Sequence, residues 1–204
     1  MAEDSATVVT YIEVAPADAG RAHDLAAAWR HAARGAPRAV DVEAMQRLCR
    51  PGHFVLVESW AGVSDWQAHA GDALTRTFRT ALDSARLAPD DERVHHTLSA
   101  GPAKAPGTGA ICAVSHVDVI PPRKEDGTAL VAALAAAGRG AAGNLRFDAF
   151  TQTSRPNHMT LVEFWASPAV FEEWSADATM RAFRAALAPM SGALFDQRLY
   201  RIIG

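Results

Sequence analysis

The chain has 204 residues, 49% of them hydrophobic and 21% charged, and a formal net charge of -3. That balance excludes a disordered chain, and also a nucleic-acid surface, which needs clustered Lys and Arg. The longest apolar stretch, Ala129 to Ala137, falls far short of the roughly 20 residues that cross a bilayer, and Met1 to Thr7 carries acids where an export signal would be basic and then apolar; a cytoplasmic protein without membrane partners is expected.

Val8 to Val14 alternates and is β-branched, a first strand that Pro16 ends. Ala17 to Ala33 is Ala-rich, with Leu25, Ala28 and Trp29 at helical spacing and Gly35 as a stop. Ala39 to Leu48 and Phe54 to Ala61 read as two strands joined through Arg50-Pro51-Gly52, a sequence suited to a type II turn with φ > 0 at the glycine. Ser64, with Gln67 three residues on, opens a second helix as a capping box. Trp66, Ala70, Leu74, Phe78 and Leu82 give that helix its apolar face. Arg93 to Leu98 is a fourth strand.

The same order then repeats at a constant offset of 105 residues. Arg50-Pro51-Gly52-His53 through Leu56-Val57-Glu58-Ser59-Trp60-Ala61 aligns with Arg155-Pro156-Asn157-His158 through Leu161-Val162-Glu163-Phe164-Trp165-Ala166. From Pro51 to Leu82 the two copies share 14 of 32 residues without a gap. The matches include Trp, His, Pro and Phe, which an Ala-rich composition does not produce by chance. Cys49 and Cys112 are not equivalent positions, so neither a duplicated disulfide nor a duplicated metal framework is expected, and both read as reduced thiols.

The order β-α-β-β-α-β is the ferredoxin-like split motif, giving an α+β chain of two tandem modules, 1–100 and 110–204, with a Gly/Pro-rich linker at 101–109. A four-stranded sheet with both helices on one face leaves its other face needing cover. Two fused copies can pair their sheets as an intrachain pseudo-dimer, so the chain is expected as a self-paired monomer or as a homodimer.

The strand ending Leu-Val-Glu-x-Trp-Ala, followed by a helix ending x-Phe-Arg-x-Ala-Leu, resembles the antibiotic biosynthesis monooxygenase family of the dimeric α+β barrel superfamily. The resemblance covers both halves and implies a pocket between sheet and helices. It carries over the strand Trp, an aromatic early in the second helix and a late Arg: Trp60, Trp66 and Arg79, then Trp165, Phe171 and Arg184. A strand Asn used by the polyketide-tailoring members falls at Leu56 and Leu161, so their oxyanion-type hydrogen bond is not carried over.

Period-2 alternation places Glu58 with Trp60, and Glu163 with Trp165, on one strand face. A carboxylate in an apolar pocket beside an indole has its pKa raised, which suits a general acid or base. The structural alternative pairs each Glu with Arg79 or Arg184. His69 sits one turn after Trp66, where copy two has Trp174. His116, two residues before Asp118 on its strand, is a candidate base and stands where copy one has Tyr11. Copy two is therefore marginally preferred as the active half. The tryptophans can stack a flat substrate or simply fill the core.

No glycine fingerprint for flavin or nicotinamide and no metal-ligand spacing stands out. No cofactor is expected, though this fold can bind reduced flavin or haem without a motif. The resemblance implies a cofactor-independent monooxygenase that oxidises an aromatic polyketide-like phenol, anthrone or quinol with O2. A polyketide cyclase or lyase, a flavin-assisted ring-opening oxygenase and a non-catalytic binder of a hydrophobic metabolite stand as alternatives.

Overall fold

A computed structural model of the chain describes residues 5–204. The first module runs β1 (Ala6–Glu13), α1 (Ala19–Ala33), β2 (Ala39–Arg47), β3 (His53–Trp60), α2 (Val63–Ala70), α3 (Ala73–Leu82) and β4 (Asp91–Ser99). The second repeats this as β5 (Ile111–Asp118), α4 (Lys124–Arg139), β6 (Asn144–Gln152), β7 (His158–Trp165), α5 (Pro168–Ser175), α6 (Ala178–Leu187) and β8 (Asp196–Ile202). Hydrogen bonding orders the strands β1-β3-β2-β8-β5-β7-β6-β4 and closes the series on itself as a barrel, the fold expected of two tandem ferredoxin-like modules. By packing, residues 5–95 join Arg201–Gly204 in one compact unit, and His96–Tyr200 forms the other.

The repeat holds down to register. β1 pairs antiparallel with β3 from Ala6↔Trp60 to Glu13↔His53, and β5 with β7 from Ile111↔Trp165 to Asp118↔His158. Even the irregularity is duplicated: β2 shifts register between Ala39 and Asp41, and β6 between Asn144 and Arg146. A bulge conserved between copies is a designed bend in the strand, not a defect.

In the first unit Phe54, Leu56 and Trp60 of β3 pack with Ile12, Val42 and Ala44 against Ala22, Ala26 and Trp29 of α1 and Phe78 and Leu82 of α3. In the second, Met159, Leu161 and Trp165 pack with Phe147 against Val131 and Leu134 of α4 and Phe183 and Leu187 of α6. Full burial of such side chains stabilises by about 1.5–3 kcal/mol each. The two cores differ by compensating sizes. Phe147 stands where the first core has Val42, and Gly138 where it has Ala33; a Cβ at Gly138 would lie 2.1 Å from the Phe147 ring.

Three local expectations are corrected. The second helix of each module is a pair of short helices, broken at Gly71-Asp72 and Ala176-Asp177. Asp72 caps α3 by accepting from the Thr75 N–H at 2.7 Å, and Asp177 caps α6 by accepting from Thr179 N–H at 2.7 Å. A side chain that satisfies the free N–H groups of a new helix start favours the break over continuation. The capping box at Ser64 does not form: α2 begins after Gly62 with no side-chain cap. Nor does Gly52 adopt φ > 0. The left-handed residue of that hairpin is Cys49, at φ 62°. Gly52 is required by space, because a Cβ there would lie 2.4 Å from the Val14 carbonyl oxygen.

Candidate active site

Each module holds a buried carboxylate beneath an indole. On β3, the Trp60 Nε1–H donates to Glu58 Oε2 at 3.2 Å, and on β7 Trp165 Nε1–H donates to Glu163 Oε2 at 3.2 Å. Glu58 is 3% exposed and Glu163 fully buried. Burial penalises the anion, so Glu58 titrates at about 7, with the Trp60 hydrogen bond pulling the other way. Glu163, more deeply buried, is pushed to about 8, opposed by Trp165, then Trp174, then Arg184 and Gln197.

The first module surrounds its carboxylate with polar partners. His69, in the last turn of α2, places Nδ1 3.0 Å from Asp72 Oδ2, Nε2 3.1 Å from Thr75 Oγ1 and Nε2 3.7 Å from Glu58 Oε2. Asp72 accepts, which fixes the proton on Nδ1 and leaves Nε2 as the basic nitrogen. Thr75 donates to that nitrogen and accepts from Trp29 Nε1–H at 3.3 Å. The His69 ring lies between Trp60, with centroids 4.6 Å apart, and Trp29, at 6.0 Å. Burial lowers the His69 pKa, offset in part by Asp72. His69, lowered from its ordinary value, is therefore mostly the free base at neutral pH, where Glu58 at about 7 holds a proton in about half of the molecules. The helix break creates this arrangement, since Asp72 serves both as the cap of α3 and as the partner of His69. Trp66, one turn earlier, has its buried Nε1 without a hydrogen-bond partner among the described residues.

The second module replaces these partners with apolar ones. Trp174 stands for His69, Met180 for Thr75 and Leu134 for Trp29. Trp174 stacks on Trp165 at 5.4 Å and meets Phe147 edge-on at 6.1 Å; Phe171 meets Trp165 edge-on at 6.4 Å. Glu163 Oε1 and Trp174 Nε1 lack a partner at hydrogen-bond geometry among the described residues. The Trp174 dipole is nonetheless close enough to favour the carboxylate anion.

Several expected members lie elsewhere. Arg79 pairs with Glu92 at 2.6 Å, and Arg184 donates to the Ser175 carbonyl at 3.0 Å and its hydroxyl at 3.1 Å. Both arginines act on the carboxylates only through space, and the direct Glu–Arg pairs do not form. His116 and Tyr11 are also separated from the carboxylates. Strand alternation sets them on the sheet face opposite Glu163 and Glu58, where His116 lies 3.4 Å from Thr160 Oγ1 and the Arg93 guanidinium covers the Tyr11 ring at 5.2 Å. The Asp118 expected to orient His116 instead meets His158 at 3.4 Å. Sequence reasoning missed Asp72 and Thr75, and offered Trp29 only as one of the tryptophans that stack a substrate or fill the core. The duplicated Asp72 and Asp177 ahead of helical runs were the available signal. Among the described residues no group of three His, Cys, Asp or Glu converges as a metal site, and no helix is long and apolar enough to cross a membrane.

The fold is shared with known structures. A candidate monooxygenase from Fusobacterium nucleatum superposes with a TM-score of 0.91 at 11% identity, covering 100% of this chain and 94% of that one. A second, from Lactobacillus acidophilus, gives 0.83 at 10% identity over 99% and 95%. An anthrone oxidase-like protein gives 0.74 at 9% identity over 100% and 92%. At these identities the likeness shows fold alone. No curated protein sequence matches the chain. Residues 110–186 match the family model described as antibiotic biosynthesis monooxygenase. The matched segment spans most of the second module, within a tandem pair of modules of one fold.

Proposed function

We propose that the protein is an oxygenase that uses O2 directly on an electron-rich phenolic aromatic such as an anthrone or a dihydroquinone, with its proton-handling centre in the first module. The observation that carries this reading is the Asp72–His69 pair beside Glu58, packed between Trp29 and Trp60. In this reaction a base removes an acidic proton from the substrate. The resulting anion gives an electron to O2, and the radical pair joins carbon to oxygen as a peroxide. Loss of water then leaves a new carbonyl, so one oxygen atom enters product and the other leaves as water. All four electrons that reduce O2 come from the substrate, and the protein must only bind, deprotonate and exclude solvent.

The residues present suit those tasks. His69 Nε2 is the basic nitrogen, Asp72 holds its tautomer and stabilises the cation that forms, and Glu58 supplies or retrieves a proton at 3.7 Å. The unpartnered Trp66 Nε1–H offers a donor to a phenolate oxygen. Glu163 has no such basic neighbour, so the preference for the second module is reversed in this proposal. O2 uptake by flavin- and metal-free protein with an anthrone or dihydroquinone is expected, falling about 100-fold or more in His69→Gln. Absence of uptake by folded protein across a panel of such substrates would overturn the proposal. The same dyad also suits O2-independent proton transfer, as in a cyclase or lyase, and turnover under anaerobic conditions would favour that reading.

A further inference from the structure

The second module has a cleft between its helices. It measures about 420 Å³ and lies where the end of α4, α5 and the start of α6 meet, with Ala137, Ala141 and Val170 on its walls, Trp174 at its base and Glu173 and Asp177 beside it. Those two carboxylates are its only charged side chains among the described lining residues. Thr179, through its hydroxyl and then its backbone N–H, holds the Asp177 carboxyl below the usual range and keeps it anionic. The carboxyl end of α4 adds partial negative charge on the opposite wall.

The corresponding region of the first module is built with the opposite provision. Arg38 and Gly143 share one backbone conformation, with φ 68° and 70°. From there the Arg38 guanidinium reaches Asp65 at 3.3 Å, whereas Gly143 has no side chain and faces Val170, which stands where Asp65 does. A Cβ at Gly143 would lie 2.6 Å from the Val170 methyl. Ala68 occupies the place of Glu173, and His69 that of Trp174. Four exchanges between the copies thus remove the Arg38–Asp65 ion pair, place a carboxylate at Glu173 and install an indole at one place. Beneath the cleft, Trp174 is 7% exposed, and its buried Nε1 acts on Glu163, so the ring and not the N–H is what it can offer to the cleft.

From this we infer that the cleft of the second module is a binding site for an aromatic cation, a planar ring carrying a protonated amine. The ring packs against Trp174 and the small alanines, and the ammonium lies between Glu173 and Asp177, where carboxylates and an indole face attract it together. An anionic aromatic meets two like charges and no cation among the described lining residues, with Arg181 acting on Asp177 from outside them. The site is independent of the chemistry at His69, and it holds or fails whether or not the protein consumes O2.

The test uses the full chain and three matched probes: 2-naphthylmethylamine, 2-naphthylmethanol and 2-naphthoate. Binding is followed at the Trp174 indole N–H resonance of 15N-tryptophan-labelled protein and by calorimetry. The amine is expected to shift that resonance and to bind at least about fivefold tighter than the alcohol, with the carboxylate weakest and the preference shrinking as salt rises. Glu173→Gln, at an exposed position with little demand on the fold, is expected to remove most of the amine's advantage. Gly143→Arg, which copies the first module's cation, should abolish it in protein shown to be folded by circular dichroism. Equal binding of amine and alcohol, preferred binding of the carboxylate, or an unchanged amine preference in Glu173→Gln would each overturn the inference.

Discussion

Replacing Glu163 with Gln should change the sign of its effect on stability as pH rises. In the unfolded chain this carboxyl titrates near 4.5, and in the folded chain at about 8. Between these values the unfolded state releases a proton that the native state retains, so rising pH favours unfolding. At about 1.36 kcal/mol per pH unit, the wild type loses about 3 kcal/mol from this group by pH 7 and about 5 kcal/mol by pH 9, where the loss levels off. Glutamine does not titrate and so escapes this loss. It keeps the oxygen that accepts from Trp165 but adds an amide hydrogen with no evident acceptor, at a cost of about 1 kcal/mol. Glu163→Gln should therefore be slightly less stable than wild type at pH 5, and more stable by about 2 kcal/mol at pH 7. Its advantage should grow towards pH 9. Urea or thermal melts of both proteins across pH 5–9 measure this directly. Parallel curves, or a variant less stable at pH 8, would refute the claim that Glu163 is held protonated by burial.

Other expectations follow from the same geometry. Glu58→Gln should show the same trend with its plateau nearer pH 7, because the Glu58 carboxyl is pushed up less far; melts over the same range distinguish the two. Thr75→Val severs the links to both His69 and Trp29 and should cost about 1–3 kcal/mol by chemical denaturation, whereas Met180→Leu at the equivalent place should cost under about 1.5 kcal/mol. Arg184→Ala removes a surface guanidinium bonded to Ser175, so melts should move by less than about 1 kcal/mol. Gly52→Ala forces a Cβ against the Val14 carbonyl and should destabilise by at least about 1 kcal/mol, a backbone shift at the end of β1 being the alternative to a clash.

The module order, both core faces and the duplicated strand carboxylates were legible in the sequence because each rests on a repeating pattern. Period-2 alternation put Glu58 beside Trp60, and the 105-residue offset marked Glu163 as its equivalent. The same alternation, carried across to the neighbouring strands, would also have set His116 and Tyr11 on the far face; that step needs the strand pairing Ser115↔Leu161, which no single strand reveals. The arginines misled for a different reason. A late helical Arg at the correct spacing can turn in to the carboxylate or out to Glu92 or Ser175, and only the packed helix decides. The His69 network was the least visible part. It joins Trp29, Glu58, His69, Asp72 and Thr75 from four elements, and it depends on a helix break that Asp72 creates.

The differences between copies carry the functional content. Identical positions hold the frame, while His69 against Trp174, Thr75 against Met180 and Arg38 against Gly143 give one module a polar cluster around Glu58, proposed here to transfer protons, and the other an acidic, indole-based cleft. The most direct test of this division is turnover of an anthrone under 18O2 by flavin- and metal-free protein, run side by side for wild type, His69→Gln and Glu163→Gln. One labelled oxygen should enter each product molecule, with activity lost in His69→Gln and kept within a few-fold in Glu163→Gln. Unlabelled product, or activity that survives in His69→Gln and disappears in a folded Glu163→Gln, would contradict the assignment of the chemistry to the first module.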